Sequence, residues 1–209
     1  MNTKYYIYIS ILLSSELLPL IPCLIYYRKT KNTKVLFLFL WFLLHFLSDA
    51  SACLYVELIG INTLPFGVIS AFIEMYLILR YAQLSLSWNK YIWLPLYLLP
   101  SIVFLTEVFE HSTLHFVSFY LNMTYQSVVI ILLLIMIFKA KQSSSELKIN
   151  QWLLAFHMGI FFYIANLDFL RVNEKLMLLV YPYFLGVIVI FHLSMAIHFY
   201  LKLNLKHAH

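Results

Sequence analysis

Charged side chains are scarce in this chain of 209 residues. They make up 11% of it and hydrophobic residues make up 63%, whereas an ordinary soluble domain carries about 25% charged residues. A water-soluble fold could not bury so much apolar surface. The apolar residues also come in long runs with the charges in the gaps between them, and this pattern is typical of an integral membrane protein.

Cysteine motifs, basic stripes and a cleavable leader are also lacking. The two cysteines, Cys23 and Cys53, fall within apolar runs and form no metal-binding spacing. The net charge of +5 is not gathered into a basic stripe with interleaved aromatics, so we expect no nucleic acid as a partner. The first apolar run follows Lys4, is interrupted by Glu16 and lacks a small-residue cleavage site. We therefore expect it to be retained as a helix.

What the chain does contain is an alternation of apolar runs and short polar gaps. A helix needs about 20 apolar residues to cross the ~30 Å hydrocarbon core of a bilayer. The sequence predicts an all-α, polytopic integral membrane protein, with residues 1–209 forming a single domain of seven transmembrane helices. The predicted spans are approximately 5–27, 35–58, 66–86, 91–109, 113–138, 150–170 and 176–201. The gaps are too short to fold alone, so we expect the function in the membrane or at its faces.

Lysine and arginine set the expected orientation, because loops that stay in the cytoplasm keep positive charge. Eleven of the fourteen basic residues fall on one side of the seven-helix arrangement. Only Lys4, Arg171 and Lys175 fall on the other side. The sequence therefore predicts an N-terminus outside and a C-terminus in the cytoplasm, in a multi-pass protein of the cell membrane.

A weak internal repeat accompanies this pattern. A shift of 119 residues matches Asp49 with Asp168, residues 67–69 with 186–188, and four further aromatic or isoleucine positions. Chance supplies about half of these matches in so apolar a chain. The matches raise the hypothesis of a 3+1+3 plan, in which helices 1–3 and 5–7 are parallel halves and helix 4 links them. Such repeats frame a central site in several transporter folds.

Polar side chains occur where lipid is expected. An ionisable group near the bilayer centre costs about 2.5–3.5 kcal/mol on insertion, so each one is a candidate for function. His45 and Asp49 are four residues apart and therefore share one helical face, with Ser48 beside them. If the polar groups near mid-depth converge, their carboxylates must hold a proton, a cation or a small polar ligand. The predicted ligand- or ion-binding residues are Glu16, His45, Asp49, Glu74, Asn122, Gln126 and His192.

A structural role for the same residues remains open. Asp49 can pair with His45 on its own helix, and Glu74 can pair with Arg80 on the next. The two amides of the fifth helix can hold helices together by hydrogen bonds. In that case the acids are neutralised locally and form no common site.

The remaining histidines and ion pairs carry weaker signals. His157 falls toward the cytoplasmic end of its predicted span and is interpreted as structural. Asp168 and Arg171 are predicted to form a surface ion pair near the outer face. No histidine stands in a His-x-x-x-His or Glu-x-x-His spacing, so the sequence predicts no metal site and identifies no cofactor.

Three architectural resemblances can be tested against the residues. Seven helices with an outside N-terminus resemble the rhodopsins and G-protein-coupled receptors, but the last helix has lysine only at its ends, Lys175 and Lys202, which excludes a retinal Schiff base. The size, orientation and 3+1+3 plan resemble the SWEET and PQ-loop transporters in architecture only, because no Pro-Gln pair occurs. Seven-helix zinc hydrolases such as the alkaline ceramidases carry a closely spaced histidine pair on the last helix, whereas His192 and His198 are six residues apart.

Three functions remain open. We favour a binding or transport protein whose central acids hold a proton, a cation or a small polar ligand. The second is an intramembrane lipid-modifying enzyme, with or without a metal, in which one of the central acids acts with His45 or His192. The third is a sensor or regulatory subunit that works through a partner protein, because no soluble domain is available for output.

Overall fold

The chain folds into seven α-helices over the residues that its computed structural model describes, which are 3–59, 65–86, 88–111, 119–139, 143–166, 170 and 173–205. The helices are α1 (Thr3–Thr30), α2 (Thr33–Ile59), α3 (Pro65–Ser85), α4 (Lys90–His111), α5 (Phe119–Lys139), α6 (Ser144–Ala165) and α7 (Glu174–Leu205). The prediction of an all-helical chain of seven helices is confirmed for these residues. Residues 113–118 of the fifth predicted span, residues 167–169 of the sixth, and the Asp168–Arg171 pair lie outside them.

Four of the helices are long and apolar enough to cross a membrane by themselves. The qualifying stretches are Tyr6–Thr30, Thr33–Tyr55, Leu121–Phe138 and Lys175–Asn204, and α4 adds a shorter apolar stretch over Lys90–Thr106. The remaining helices, α3 and α6, carry ionisable residues such as Glu74 and Glu146 within an otherwise apolar sequence. The chain is therefore compatible with the membrane-protein class, on the basis of four long apolar helices.

The boundaries of α6 differ from the sequence expectation. The helix begins at Ser144 and ends at Ala165, whereas the predicted span covers residues 150–170. Its start is fixed by Ser143, whose side chain accepts a hydrogen bond from the backbone N–H of Glu146. A serine followed three residues later by glutamate is a helix-capping pattern, and here it outweighs the polarity of the first turns. His157 consequently lies more than three turns into the helix.

Among the described residues, six helices form a closed ring and α4 lies outside it. Neighbours around the ring follow the order α1, α2, α3, α5, α6, α7 and back to α1, while the described part of α4 packs against α3 and α5. The first and last helices run parallel, as ring contacts pair Tyr8 with Tyr181 near one end and Tyr26 with Phe199 near the other. The ring encloses buried polar residues, among them Glu16 and Glu74.

The surface of the bundle is apolar and its interior is partly polar. Large hydrophobic side chains point outward on most helices, and Leu58 and Phe138 are 82% and 81% exposed. In contrast, Glu16, Glu74, Gln126 and His192 are buried. Buried acids inside the bundle together with an outer surface of large apolar side chains are compatible with lipid around the helices.

Two prolines lie within α1 without ending it. The sequence suggests that Pro19 and Pro22 kink or open the first helix, because each removes one helical hydrogen bond. The helix nevertheless runs from Thr3 to Thr30 as one element. Its packing along α2 and α7 holds it in place on both sides.

Candidate functional site

His45 is the centre of a charged cluster formed by three helices. Its Nδ1 atom lies 3.4 Å from the carboxylate oxygens of Glu74 on α3. Its Nε2 atom lies 3.7 Å from Oε1 of Glu16 on α1. The imidazole therefore stands between two carboxylates, one at each ring nitrogen, and links α1, α2 and α3.

Asp49 adds a third carboxylate to this cluster. It lies one helical turn beyond His45 on α2, which places both side chains on one face. Glu16, His45 and Asp49 each present a ligand-type atom, and these atoms all lie within 4.8 Å of one another. Among the described residues this is the group that could hold a metal ion.

Glu16 is the least satisfied member of the cluster. Its side chain is only 1% exposed, and neither of its carboxylate oxygens accepts a hydrogen bond from the part of the chain that the structure describes. A buried carboxylate without hydrogen bonds lowers stability, because the lost hydration is not replaced. The nearest cationic group available to it is the shared imidazole of His45.

A cavity of about 200 Å³ opens beside the cluster, between α2, α3, α5 and α6. Its polar lining is His45, Ser48, Asp49, Ser70, Glu74, Asn122, Tyr125, Gln126 and His157. Ser48 and Ser70 join α2 to α3 within this wall, with 2.8 Å between their hydroxyl oxygens. Two of the three acids of the cluster, Asp49 and Glu74, thus line a space of the size of a small molecule.

His157 lines the cavity from α6. Its Nδ1–H group donates to Oε1 of Gln126 at 2.7 Å. That bond leaves Nε2 of His157 as a lone-pair acceptor. This atom is buried and has no hydrogen-bond partner among the described residues. Gln126 therefore holds the ring in place, and one ring nitrogen stays unsatisfied within the described part of the chain.

His192 lies behind the cluster, on α7. The hydroxyl of Ser15 donates to the carbonyl of Leu12 at 2.8 Å, so its oxygen accepts from Nδ1–H of His192 at 3.3 Å. The rings of His192 and His45 are 6.1 Å apart. His192 does not line the cavity, and its contacts place it as support for α1 next to Glu16.

An aromatic layer lies one turn below His45 on α2. Trp41 is fully buried and contacts the rings of Phe156, His157 and Phe191 at centroid distances of 5.6, 5.7 and 6.0 Å. Its indole N–H donates a hydrogen bond to the hydroxyl oxygen of Tyr125 at 3.3 Å. The Tyr125 hydroxyl therefore keeps its own proton as a possible donor, and Tyr125 lines the cavity. Trp41 and Phe156 of this layer form part of the cavity wall.

The seven residues predicted from sequence are brought into one region. Four of them, Glu16, His45, Asp49 and Glu74, form the charged cluster. The amides on α5 line the cavity, and His192 stands beside the cluster. The alternative pairing of Glu74 with Arg80 does not occur, because Glu74 contacts His45 and the exposed Arg80 donates to Gln83.

Three residues that line the cavity, Trp41, Tyr125 and His157, were not among the predicted site residues. Trp41 is spaced four residues before His45, a signal that marks the same helical face. Tyr125 directly precedes a predicted site residue, and His157 becomes central once α6 is seen to begin at Ser144. The capping pattern at Ser143 is the sequence signal that would have placed His157 correctly.

Comparisons with known proteins add no further assignment to this geometry. The chain matches no protein-family model, no curated protein and no solved structure.

Proposed function

We propose that this chain is a binding or transport protein of the cell membrane whose central carboxylate and histidine cluster holds a proton, a cation or a small polar ligand. The observation that carries the proposal is the arrangement of three carboxyl groups around the single imidazole of His45, beside a cavity. Three ionised carboxylates would exceed the charge of one imidazolium. A proton on one of the acids, or a positively charged occupant, would offset that excess.

The proposal includes seven membrane spans with the N-terminus outside. The shortest helices, α3 and α5, have 21 residues, and at ~1.5 Å per residue this length matches a hydrocarbon core of ~30 Å. The distribution of lysine and arginine supports the orientation. Helices that carry buried acids are expected in such proteins when the acids face the interior of the bundle, as Glu16 and Glu74 do.

The helix arrangement supports a 3+1+3 plan. In the ring, α1 contacts α2 and α7, and α5 contacts α6 and α3. If α1, α2 and α3 are exchanged with α5, α6 and α7 respectively, the list of neighbouring helix pairs in the ring stays the same. Helix α4 packs outside, which is the place expected for a linker between two halves. A central cavity between two such halves is a common transporter design.

Polar contacts tie the lysine-rich end of the bundle together. Three of these contacts come from the first turns of α6. Glu146 forms an ion pair with Lys34 on α2 at 2.8 Å, and Asn150 accepts a hydrogen bond from Tyr81 on α3 at 2.8 Å. Ser145 forms a hydrogen bond of 2.9 Å with His198 on α7. We propose that these contacts close the cavity toward the cytoplasm. Transport would require α6 to release them.

Flux measurements on reconstituted protein test the proposal. Liposomes are loaded with a pH-sensitive dye, or with a dye that reports divalent ions, and gradients of protons, monovalent ions or divalent ions are imposed in turn. We expect flux of at least one of these ions above that of empty liposomes. The Glu74→Gln variant should fall to the empty-liposome level, because it keeps the shape of the side chain and removes its charge from His45.

Glu57→Gln is the matched control for this experiment. Glu57 is an exposed acid at the far end of α2, where it accepts from the hydroxyl of Tyr6, and it lies outside the cluster. The same substitution there should leave the flux unchanged. Equal flux in wild type and Glu74→Gln, both correctly folded, would overturn the role of the cluster in transport, and no flux of any tested ion would overturn ion transport and leave binding alone.

A further inference from the structure

We propose that Glu16, His45 and Asp49 bind one divalent transition-metal ion through two carboxylates and one imidazole, with Glu74 as the positioning residue for His45. The inference rests on the proposed binding function and names the class of cation. Its first support is the close approach of three ligand-type atoms, all within 4.8 Å, contributed by α1 and α2. Metal–ligand distances of ~2.0–2.2 Å would require these atoms to draw together by about 1 Å, which side-chain rotation can supply.

The second support is the state of Glu16. This side chain is 1% exposed, it faces His45 and Asp49, and both of its oxygens lack a hydrogen-bond donor among the described residues. Carboxylate oxygens buried in proteins are normally hydrogen-bonded or bound to a metal. A divalent ion would satisfy them, and its two positive charges would neutralise Glu16 and Asp49 together.

The third support is the orientation of the His45 ring. Glu74 lies at Nδ1, at 3.4 Å, so that Nδ1 carries the proton it donates to this carboxylate. In the metal-bound form Nε2 gives up its proton and becomes the lone-pair ligand nitrogen, and it is directed toward Glu16. A carboxylate behind a metal-binding histidine fixes the tautomer and strengthens the ligand, and this is the usual arrangement at protein metal sites.

The donor set narrows the identity of the ion. Calcium and magnesium prefer sites made of oxygen only, and monovalent copper prefers sulfur. One imidazole with two carboxylates suits Mn²⁺, Fe²⁺, Co²⁺ or Zn²⁺. His45 and Asp49 also line the cavity, so coordination positions not filled by the protein would face that space.

Cobalt binding to the purified full-length protein in detergent tests the inference, because Co²⁺ reports its ligands through visible absorption. The tail histidines are first replaced (His207→Ala, His209→Ala), since Lys206-His207-Ala208-His209 is a sequence that can catch metal adventitiously. We expect one Co²⁺ per chain by equilibrium dialysis and a visible spectrum that Zn²⁺ abolishes by displacement. Glu16→Gln and His45→Gln should lose this binding.

The Glu74→Gln variant tests whether Glu74 positions His45 or is itself a metal ligand. Loss of a partner of this kind weakens metal binding by about 10–100-fold. We therefore expect Glu74→Gln to bind Co²⁺ with weaker affinity but with the same visible spectrum, because the ligand atoms are unchanged. Glu57→Gln, which removes an acid outside the cluster, should bind as tightly as the protein with only the tail histidines replaced.

Two results would overturn the inference: no bound Co²⁺, or binding that survives both Glu16→Gln and His45→Gln. If Glu16→Gln does not fold, Asp49→Asn is used in its place. Full Co²⁺ binding by Asp49→Asn would then contradict the proposed metal site. The outcome is independent of the flux experiment. Proton or monovalent flux without bound Co²⁺ would refute the metal site alone, whereas bound Co²⁺ without flux of any ion would refute transport alone.

Discussion

Glu16→Leu is expected to stabilise the folded protein and to abolish its function. The carboxylate of Glu16 is buried without hydrogen bonds, next to Asp49 and with only a shared imidazole for charge compensation. Leucine has a similar volume and no charge to desolvate. Replacement of a whole buried ion pair by packed apolar residues often stabilises a protein by about 1–4 kcal/mol, and Glu16 is the acid in excess once Glu74 is paired with His45. His45 keeps Glu74 as its carboxylate partner, so the substitution does not leave the imidazole alone.

The measurement pairs unfolding in a single detergent with flux in liposomes. We expect the midpoint of unfolding to rise in Glu16→Leu while the flux falls to the background level. Glu57→Leu is the matched control, because Glu57 is exposed and its removal should change neither quantity by much. A Glu16→Leu protein that unfolds more readily than wild type would indicate that Glu16 is a structural residue.

Trp41→Ala is expected to cause the largest loss of stability of any single substitution described above. The side chain is fully buried and contacts rings from α6 and α7 as well as its neighbours on α2. It also donates a hydrogen bond to Tyr125. Truncation of a buried aromatic residue to alanine costs about 3–5 kcal/mol, because it removes the contacts and leaves a cavity. The space left by the side chain would enlarge the neighbouring cavity, which Trp41 lines.

Unfolding of Trp41→Ala, Trp41→Phe and Trp152→Ala measures this effect. Trp41→Phe keeps a ring in the layer and should lose much less stability than the alanine variant. Trp152 is 38% exposed on α6, so its truncation is the matched control and should be mild. Equal losses for Trp41→Ala and Trp152→Ala would contradict the role of the aromatic layer.

The order of the helices along the chain could be predicted because lipid imposes a strong constraint. Runs of about 20 apolar residues and the charges between them locate most helices, and the described ends of α1, α2 and α7 lie close to the predicted ones. The start of α6 could not be found in this way. There the capping bond of Ser143 determines the helix start, and hydropathy does not detect it.

The contents of the site could be predicted only in part, for a related reason. Sequence gives the depth of a residue along its helix, and depth was enough to group Glu16, His45 and Glu74. It gives neither the rotation of a helix nor the order of its neighbours. Those determine that Glu74 meets His45 and not Arg80, and that α4 lies outside the ring.

Cross-linking in native membranes tests most directly whether acids from separate helices meet inside the bundle. Cys23 and Cys53 are first replaced by alanine, and Glu16→Cys is combined with Asp49→Cys or, as a control, with Leu54→Cys. Glu16 and Asp49 have carboxylate atoms within 4.8 Å, whereas Leu54 points outward and is 63% exposed. We predict that a short bifunctional thiol reagent joins the first pair and not the second. Failure to join the first pair, or equal yields for both, would contradict the convergence of Glu16 and Asp49.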